Sequence, residues 1–193
     1  MYSAFLNIVR KVYGQEGFIP LHAPVFNGNE KKYLNDCIDS TFVSSVGKYV
    51  DDFEIKLANF CGAKYAVVTS NGTSALHIAL IVAGVKQNDL VITQPLSFIA
   101  TCNAIHYIGA EPAFVDVDLN TLGMCSIALK EFLSKECEVK NNECYHKKSG
   151  RRISACVPMH TFGFPCKIDE IKSVCDEFHI TLIEDAAESI GSY

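Results

Sequence analysis

The chain has 193 residues, 49% of them apolar and 20% charged, and its 17 basic and 22 acidic side chains leave a net charge of −5. That length holds one ordinary domain with a sizeable core, and the composition excludes a disordered or fibrous chain. The acidic balance gives no electrostatic basis for nucleic acid or an anionic membrane as partner.

Residues 1–28 read as an N-terminal arm: an amphipathic start, then a Pro/Gly-containing segment, IPLHAPVFNGNE. The start, MYSAFLNIVRKVYGQEGF, is broken by Asn7 and Arg10 and does not read as a secretory signal. Helical spacing covers about 29–39, SSVGKYV is a loop, and a second helix is expected over about 48–61. The pattern then becomes regular. Strands are expected in KYAVVTS, DLVITQP, EPAFVDVD, RRISACVPMH and ITLIED. Helices are expected between them, in GTSALHIALIVAG, SFIATCNAIHYIG, SIALKEFLSK and KIDEIKSVCDEFH. The strands are short continuous runs rich in Val and Ile, which suit a sheet buried on both faces. Their alternation with helices predicts an α/β fold, a mostly parallel sheet with helices on both faces. The polar segment of about 136–152 is expected to be a surface excursion. No apolar run approaches about 18 residues, so no membrane span is expected. Nine scattered cysteines without a CxxC pair fit a reduced, cytoplasmic protein.

In open α/β sheets ligands gather at the carboxyl ends of the strands. The residues that follow each expected strand therefore define the candidate site. After AVVT comes Ser70-Asn71-Gly72-Thr73-Ser74, a turn into a helix N-terminus whose free N–H groups and partial positive charge suit a phosphate. An ordinary helix cap is the alternative. Neither GxGxxG nor GxxxxGK[ST] occurs, which argues against a nucleotide-binding module. Phe98 follows the next strand and either covers a planar ring or belongs to the core. His160, in PMHTFGFP, is a site residue or a turn residue. Cys137, Cys144 and His146 match no trusted zinc spacing, so no metal is expected.

The last strand ends in Glu184 and Asp185. An acid at the end of a buried strand needs a partner, or its desolvation is costly. Asp185 could pair with a protonated ring nitrogen or cap a following helix, with Glu184 then facing the other way.

The blocks IPLHAP, SSVGKYVDDFE, NGTSALHIAL, SFIATCNAI, FVDVD, HTFGFP and IEDAAESIG together resemble the pyridoxal 5′-phosphate (PLP)-dependent sugar aminotransferases of the DegT/DnrJ/EryC1/StrS family. The likeness runs from about Ile19 to Tyr193 and leans toward the LegC-like branch, which aminates nucleotide-linked 4-keto sugars on the way to legionaminic-acid-like surface sugars. It implies the large domain of the type I, aspartate-aminotransferase-like fold over 29–193, with PLP as cofactor. Carried over by position, it implies that Gly72 and Thr73 hold the cofactor phosphate, Phe98 stacks on the ring and Asp185 pairs with the ring nitrogen. Glu188 would stand near the ring hydroxyl. Ser44, Ser45 and Gly47 would lie by the sugar-nucleotide entrance, and His160 would line the site. Glutamate is the implied amino donor and a homodimer the implied assembly.

The family's cofactor-bearing lysine belongs to a block that follows the segment matched by IEDAAESIG, and no lysine of residues 1–193 matches it. No catalytic lysine is therefore expected in these residues, nor the smaller C-terminal domain. The expectation is an N-terminal fragment with little or no activity alone. A non-catalytic remnant of the fold and a fragment of a PLP-dependent sugar dehydratase are the alternatives.

Overall fold

A computed structural model describes residues 2–20 and 23–192; Leu21 and His22 of the IPLHAP block lie outside them, as does Tyr193. The chain forms two compact units, up to Ala66 and from Val67 onward.

The first unit holds α1 (Ser3–Tyr13), α2 (Glu30–Ser40) and α3 (Lys48–Cys61), and none of their side chains is fully buried. Helices α2 and α3 meet through polar and aromatic contacts. The Tyr49 hydroxyl donates to Asp36 at 2.8 Å, and the rings of Tyr33 and Tyr49 lie 4.9 Å apart. The Asp36 carboxylate pushes the Tyr49 phenol up to about 12.

The second unit is the α/β body. It contains α4 (Gly72–Val82), β1 (Leu90–Thr93), α5 (Ile99–Tyr107), β2 (Glu111–Phe114), α6 (Ser126–Glu136), β3 (Cys137–Lys140), β4 (Glu143–His146), β5 (Arg152–Val157), a 3-10 turn (Thr161–Gly163), α7 (Ile168–Glu177) and β6 (Thr181–Leu182). The sheet order is β2-β1-β5-β4-β3, with β6 also on β5. Strands β2, β1, β5 and β6 run parallel. Strand β1 occupies one edge of β5. The other edge is shared in succession by β4, opposite Arg152 and Ile153, and β6, opposite Ala155 and Cys156.

Both faces of the sheet are covered, which is why its strands read as unbroken apolar runs. On one face Leu90, Ile92, Ile153 and Cys156 pack with Leu129 and Leu133 of α6 and Ile171 and Cys175 of α7. On the other, Val91, Ala155 and Val157 pack with Leu76 and Leu80 of α4 and Ala104 and Ile105 of α5. The change of face along β5 comes from a bulge. Leu90 pairs with Ile153 but Val91 with Ala155, so Ser154 is the extra residue. Its hydroxyl is buried and has no hydrogen-bond partner among the described residues.

Three expectations need correction. KYAVVTS joins no sheet among the described residues, and Val67 is 81% exposed. An apolar run becomes a strand only where a neighbour offers a hydrogen-bonding edge. The segment 136–152 is not a surface excursion. It is the hairpin β3–β4, which extends the sheet antiparallel and buries Cys137 and Cys144. Its turn residues Asn141 and Asn142 both have positive φ (52° and 61°), the conformation a tight two-residue hairpin demands. The expected strands EPAFVDVD and ITLIED shorten to Glu111–Phe114 and Thr181–Leu182. Beyond β6, Asp185 still bridges Met159 in parallel.

Candidate active site

Parallel register gathers the carboxyl ends of the strands at one edge. Thr93 lies opposite Val157, and Asp185 opposite Met159. Gln94, His160 and Asp185 therefore leave the sheet side by side. Helix α4 reaches the same edge with its first turn. Its far end is fixed at the opposite edge, where the carbonyl of Gly84 accepts a bond of 2.7 Å from Arg152, the first residue of β5. Its 11 residues span about 16 Å along the sheet.

At the start of α4 the side chain of Asn71 takes the N–H of Ser74 at 2.9 Å. The N–H groups of Gly72 and Thr73, in the first turn, have no acceptor within the helix. A Cβ on Gly72 would meet nothing within 4 Å, so Gly72 is open on its side-chain side. The ordinary-cap reading thus accounts for Ser74 only. An anion fits on the other two.

Phe98 is the N-cap of α5 and is 72% exposed, so it is not a core residue. One turn on, Thr101 faces inward beside Ala104 and Ile105 and is buried. Its hydroxyl donates to Oδ2 of Asp185 at 2.7 Å. Asp185 is itself buried, and among the described residues its Oδ1 is reached only by the N–H of Ala187 at a long 3.4 Å. No helix follows Asp185 among the described residues, so it caps none. The first turn of α5 thus ties the Asp185 carboxylate to the helix that Phe98 caps.

Glu184 has a different partner. Nε2 of His160 lies 3.0 Å from its carboxylate, while Nδ1 accepts the N–H of Cys166 at 3.0 Å. A ring nitrogen that accepts a backbone N–H carries no proton, so His160 is held as the Nε2–H tautomer, donating to Glu184. The Cys166 thiol is pushed up by burial and donates to the carbonyl of Met159 at 3.3 Å, which makes it no nucleophile. Glu188 is exposed, on the turn after Asp185. A Cβ on Gly163 (φ 80°) would lie 2.8 Å from the Glu188 carbonyl, so glycine is what lets that turn pack on residues 161–163.

Ser44, Ser45 and Gly47 belong to the first unit. Ser44 and Gly47 line a groove of about 960 Å³ together with Leu34, Ile38, Phe42 and Val46. Within the second unit the structure brings together Phe98, Asp185 and His160 at the edge where α4 presents Gly72 and Thr73. Among the described residues no group of three or more His, Cys, Asp or Glu is placed to hold a metal, and no helix is long and apolar enough to cross a membrane.

Sequence reasoning missed Thr101, and it placed Gln94 and Ser97 among the residues that follow the strand LVIT without giving them a role. Gln94 is fully buried and ties the loop before Phe98 to the loop before His160 through Met159 and Thr161. A polar residue on the apolar face of a short helix was the available signal for Thr101.

The profile of the DegT/DnrJ/EryC1/StrS aminotransferase family matches residues 25–193. A GDP-perosamine synthase of Vibrio cholerae is 38% identical over 174 residues, 90% of this chain and 43% of that protein. The solved aminotransferase from Psychrobacter cryohalolentis shares 29% identity, with a TM-score of 0.75 over 91% of this chain and 40% of its own. A GDP-4-keto-6-deoxymannose-3-dehydratase, solved with a trapped PLP-glutamate geminal diamine, shares 27% identity, with a TM-score of 0.72 over 90% of this chain and 42% of its own. The chain thus spans less than half the length of these relatives. The expected fold class stands: these neighbours share the α/β architecture, with a mostly parallel sheet and helices on both faces.

Proposed function

Because the chain belongs to the DegT/DnrJ/EryC1/StrS aminotransferase family, we propose that residues 29–193 form the PLP-binding large domain of an enzyme that aminates a nucleotide-linked 4-keto sugar for a surface polysaccharide. A LegC-like substrate, on the way to a legionaminic-acid-like sugar, is the finer form of this reading. Glutamate serves as amino donor, and the complete enzyme is a cytoplasmic homodimer.

The observation that carries the proposal is the buried Asp185 carboxylate, held by Thr101 in the first turn of the helix that the exposed Phe98 caps. PLP supplies an electron sink when its ring nitrogen is held protonated by such a carboxylate. The N–H groups of Gly72 and Thr73 hold its phosphate. Phe98 covers one face of the ring and excludes water from it. Asp185 holds the proton on the ring nitrogen by charge and hydrogen bond. Glu188 stands near the ring hydroxyl and His160 lines the pocket. Ser44, Ser45 and Gly47 take the nucleotide sugar. The 193 residues by themselves turn over little or no sugar, since no lysine among them matches the family's cofactor-bearing one.

Two measurements test this. PLP uptake followed by absorbance should be seen with the wild-type chain, resist borohydride fixation, and fall sharply in Asp185→Ala. No uptake by the wild type would leave a remnant of the fold. Incubation with PLP, glutamate and GDP- or UDP-linked 4-keto sugars then tests turnover. Rapid amino-sugar formation by the 193 residues alone would defeat the claim that the lysine is needed from elsewhere. The likeness to the dehydratase favours a second reading, in which the complete enzyme deoxygenates its sugar. A deoxy keto sugar as product, in place of an amino sugar, would select it.

A further inference from the structure

Asp185 is buried and has two oxygens with unequal surroundings. Oδ2 accepts the Thr101 hydroxyl at 2.7 Å. Among the described residues Oδ1 has only the distant N–H of Ala187, at 3.4 Å. A carboxylate offers about four lone-pair sites, so Oδ1 keeps the greater unused capacity.

The Thr101 proton is itself directed. Its hydroxyl lies 3.1 Å from Ser97 Oγ, whose one proton has the Thr101 oxygen and the carbonyl of Phe98, at 3.2 Å, as its two near acceptors. Ser97 sits one turn earlier, before α5, and its hydroxyl also lies 3.5 Å from the sulfur of Met159. A hydroxyl has one proton to give. With Ser97 donating into Thr101, that proton goes to Asp185. A threonine in a helix otherwise turns its hydroxyl back on the carbonyl of the preceding turn.

We propose that Thr101 is the positioning residue of the site, fixing the Asp185 carboxylate so that Oδ1 faces the cofactor's ring nitrogen, with Ser97 setting the direction of the Thr101 proton. This rests on the proposed cofactor role of Asp185. Thr101 touches neither cofactor nor substrate. It removes the rotation about the last side-chain bond of Asp185 that a buried carboxylate without a fixed partner retains. Phe98, the N-cap of the same helix, moves with it as one rigid element, so the ring's cover and the partner of its nitrogen are set together.

The test uses the 193-residue chain and two probes. One is pyridoxamine 5′-phosphate, which needs no lysine to bind. The other is its analogue with the ring nitrogen replaced by C–H. Each is titrated by its own fluorescence anisotropy. Thr101→Val keeps the shape and removes the donor. It should weaken pyridoxamine phosphate about 10-fold, the scale of one hydrogen bond to a charged group. Binding of the nitrogen-free analogue should stay within about 2-fold, and Thr101→Ser should restore wild-type affinity for both.

Equal weakening of both probes would assign Thr101 a structural role only and overturn the proposal. Unchanged binding of both by Thr101→Val would overturn it as well. Either result leaves the cofactor reading standing, whereas a wild-type chain that binds neither probe overturns both. If circular dichroism shows that Thr101→Val has lost its fold, Ser97→Ala decides. A selective loss of about 3-fold for the nitrogen-containing probe supports the relay, and an equal change in both, or none, refutes it.

Discussion

Gln94→Leu isolates the bonds that tie the two site loops together. Gln94 is fully buried, and its amide nitrogen lies 3.0 Å from the carbonyl of Leu96, 3.1 Å from that of Met159 and 3.0 Å from the Thr161 hydroxyl. That nitrogen has only two protons, so no more than two of the three are full bonds at once. The amide oxygen accepts the N–H of Met159 at 3.2 Å. Leucine keeps the bulk and removes all of these. The carbonyl of Met159 retains the Cys166 thiol and the Thr161 hydroxyl retains the carbonyl of Leu122, while Leu96 is exposed to water. The N–H of Met159 is left as the orphan. An unsatisfied buried donor costs about 1–3 kcal/mol, and the two lost donations about 0.5–1 kcal/mol each, which totals roughly 2–5 kcal/mol. For a chain of this size that is a fall in Tm of roughly 4–20 °C. Thermal melts by far-UV circular dichroism measure it. Thr93→Val is the matched control. It removes one buried bond, from Thr93 to the carbonyl of Val157 at 2.8 Å, and should cost about 1 kcal/mol. A Gln94→Leu melt within about 2 °C of wild type, or equal to that of Thr93→Val, would refute the reasoning, since a clamp must cost more than a single bond.

Ser154→Ala removes the unpartnered hydroxyl at the β5 bulge and should raise stability by about 1 kcal/mol, read as a higher urea midpoint; a lower midpoint would mean that the hydroxyl has a partner. Arg152→Met strips Asp89, which is nearly buried and paired at 2.6 Å, of its counter-charge. That variant should lose about 2–3 kcal/mol, less than a fully buried pair because Arg152 is partly exposed. A double-mutant cycle with Asp89→Asn reads the coupling, and additivity would sink the claim. Asp118 is held below the usual carboxylate range by the N–H of Asn120 and then by the Lys167 ammonium, 2.9 Å away. A depressed carboxylate stabilises the fold fully above its unfolded value of about 4, and that contribution is lost as pH falls through the lower folded value. Urea midpoints measured between about pH 5 and pH 2.5 should therefore fall less steeply in Asp118→Asn than in wild type; parallel slopes would contradict the assignment.

The alternation of apolar runs with helical segments was enough to place β1, β2, β5 and β6 in one parallel sheet, because that pattern reports burial on both faces and burial is local to each strand. The carboxyl-end rule likewise picked out Phe98, His160 and Asp185 from chain order alone. The hairpin at Cys137–His146 was legible too, in the Asn141-Asn142 turn, but its polarity masked it. KYAVVTS shows the converse. Its residues favour a strand, yet pairing needs a neighbour, and propensity cannot supply one. What only the tertiary structure decided is who meets whom across long separations. Thr101 and Asp185 are 84 residues apart and meet at 2.7 Å, and Gln94 reaches Met159 across 65. A side chain's chemistry is written in the sequence, but the direction of its one proton depends on which acceptor the folded chain brings within reach.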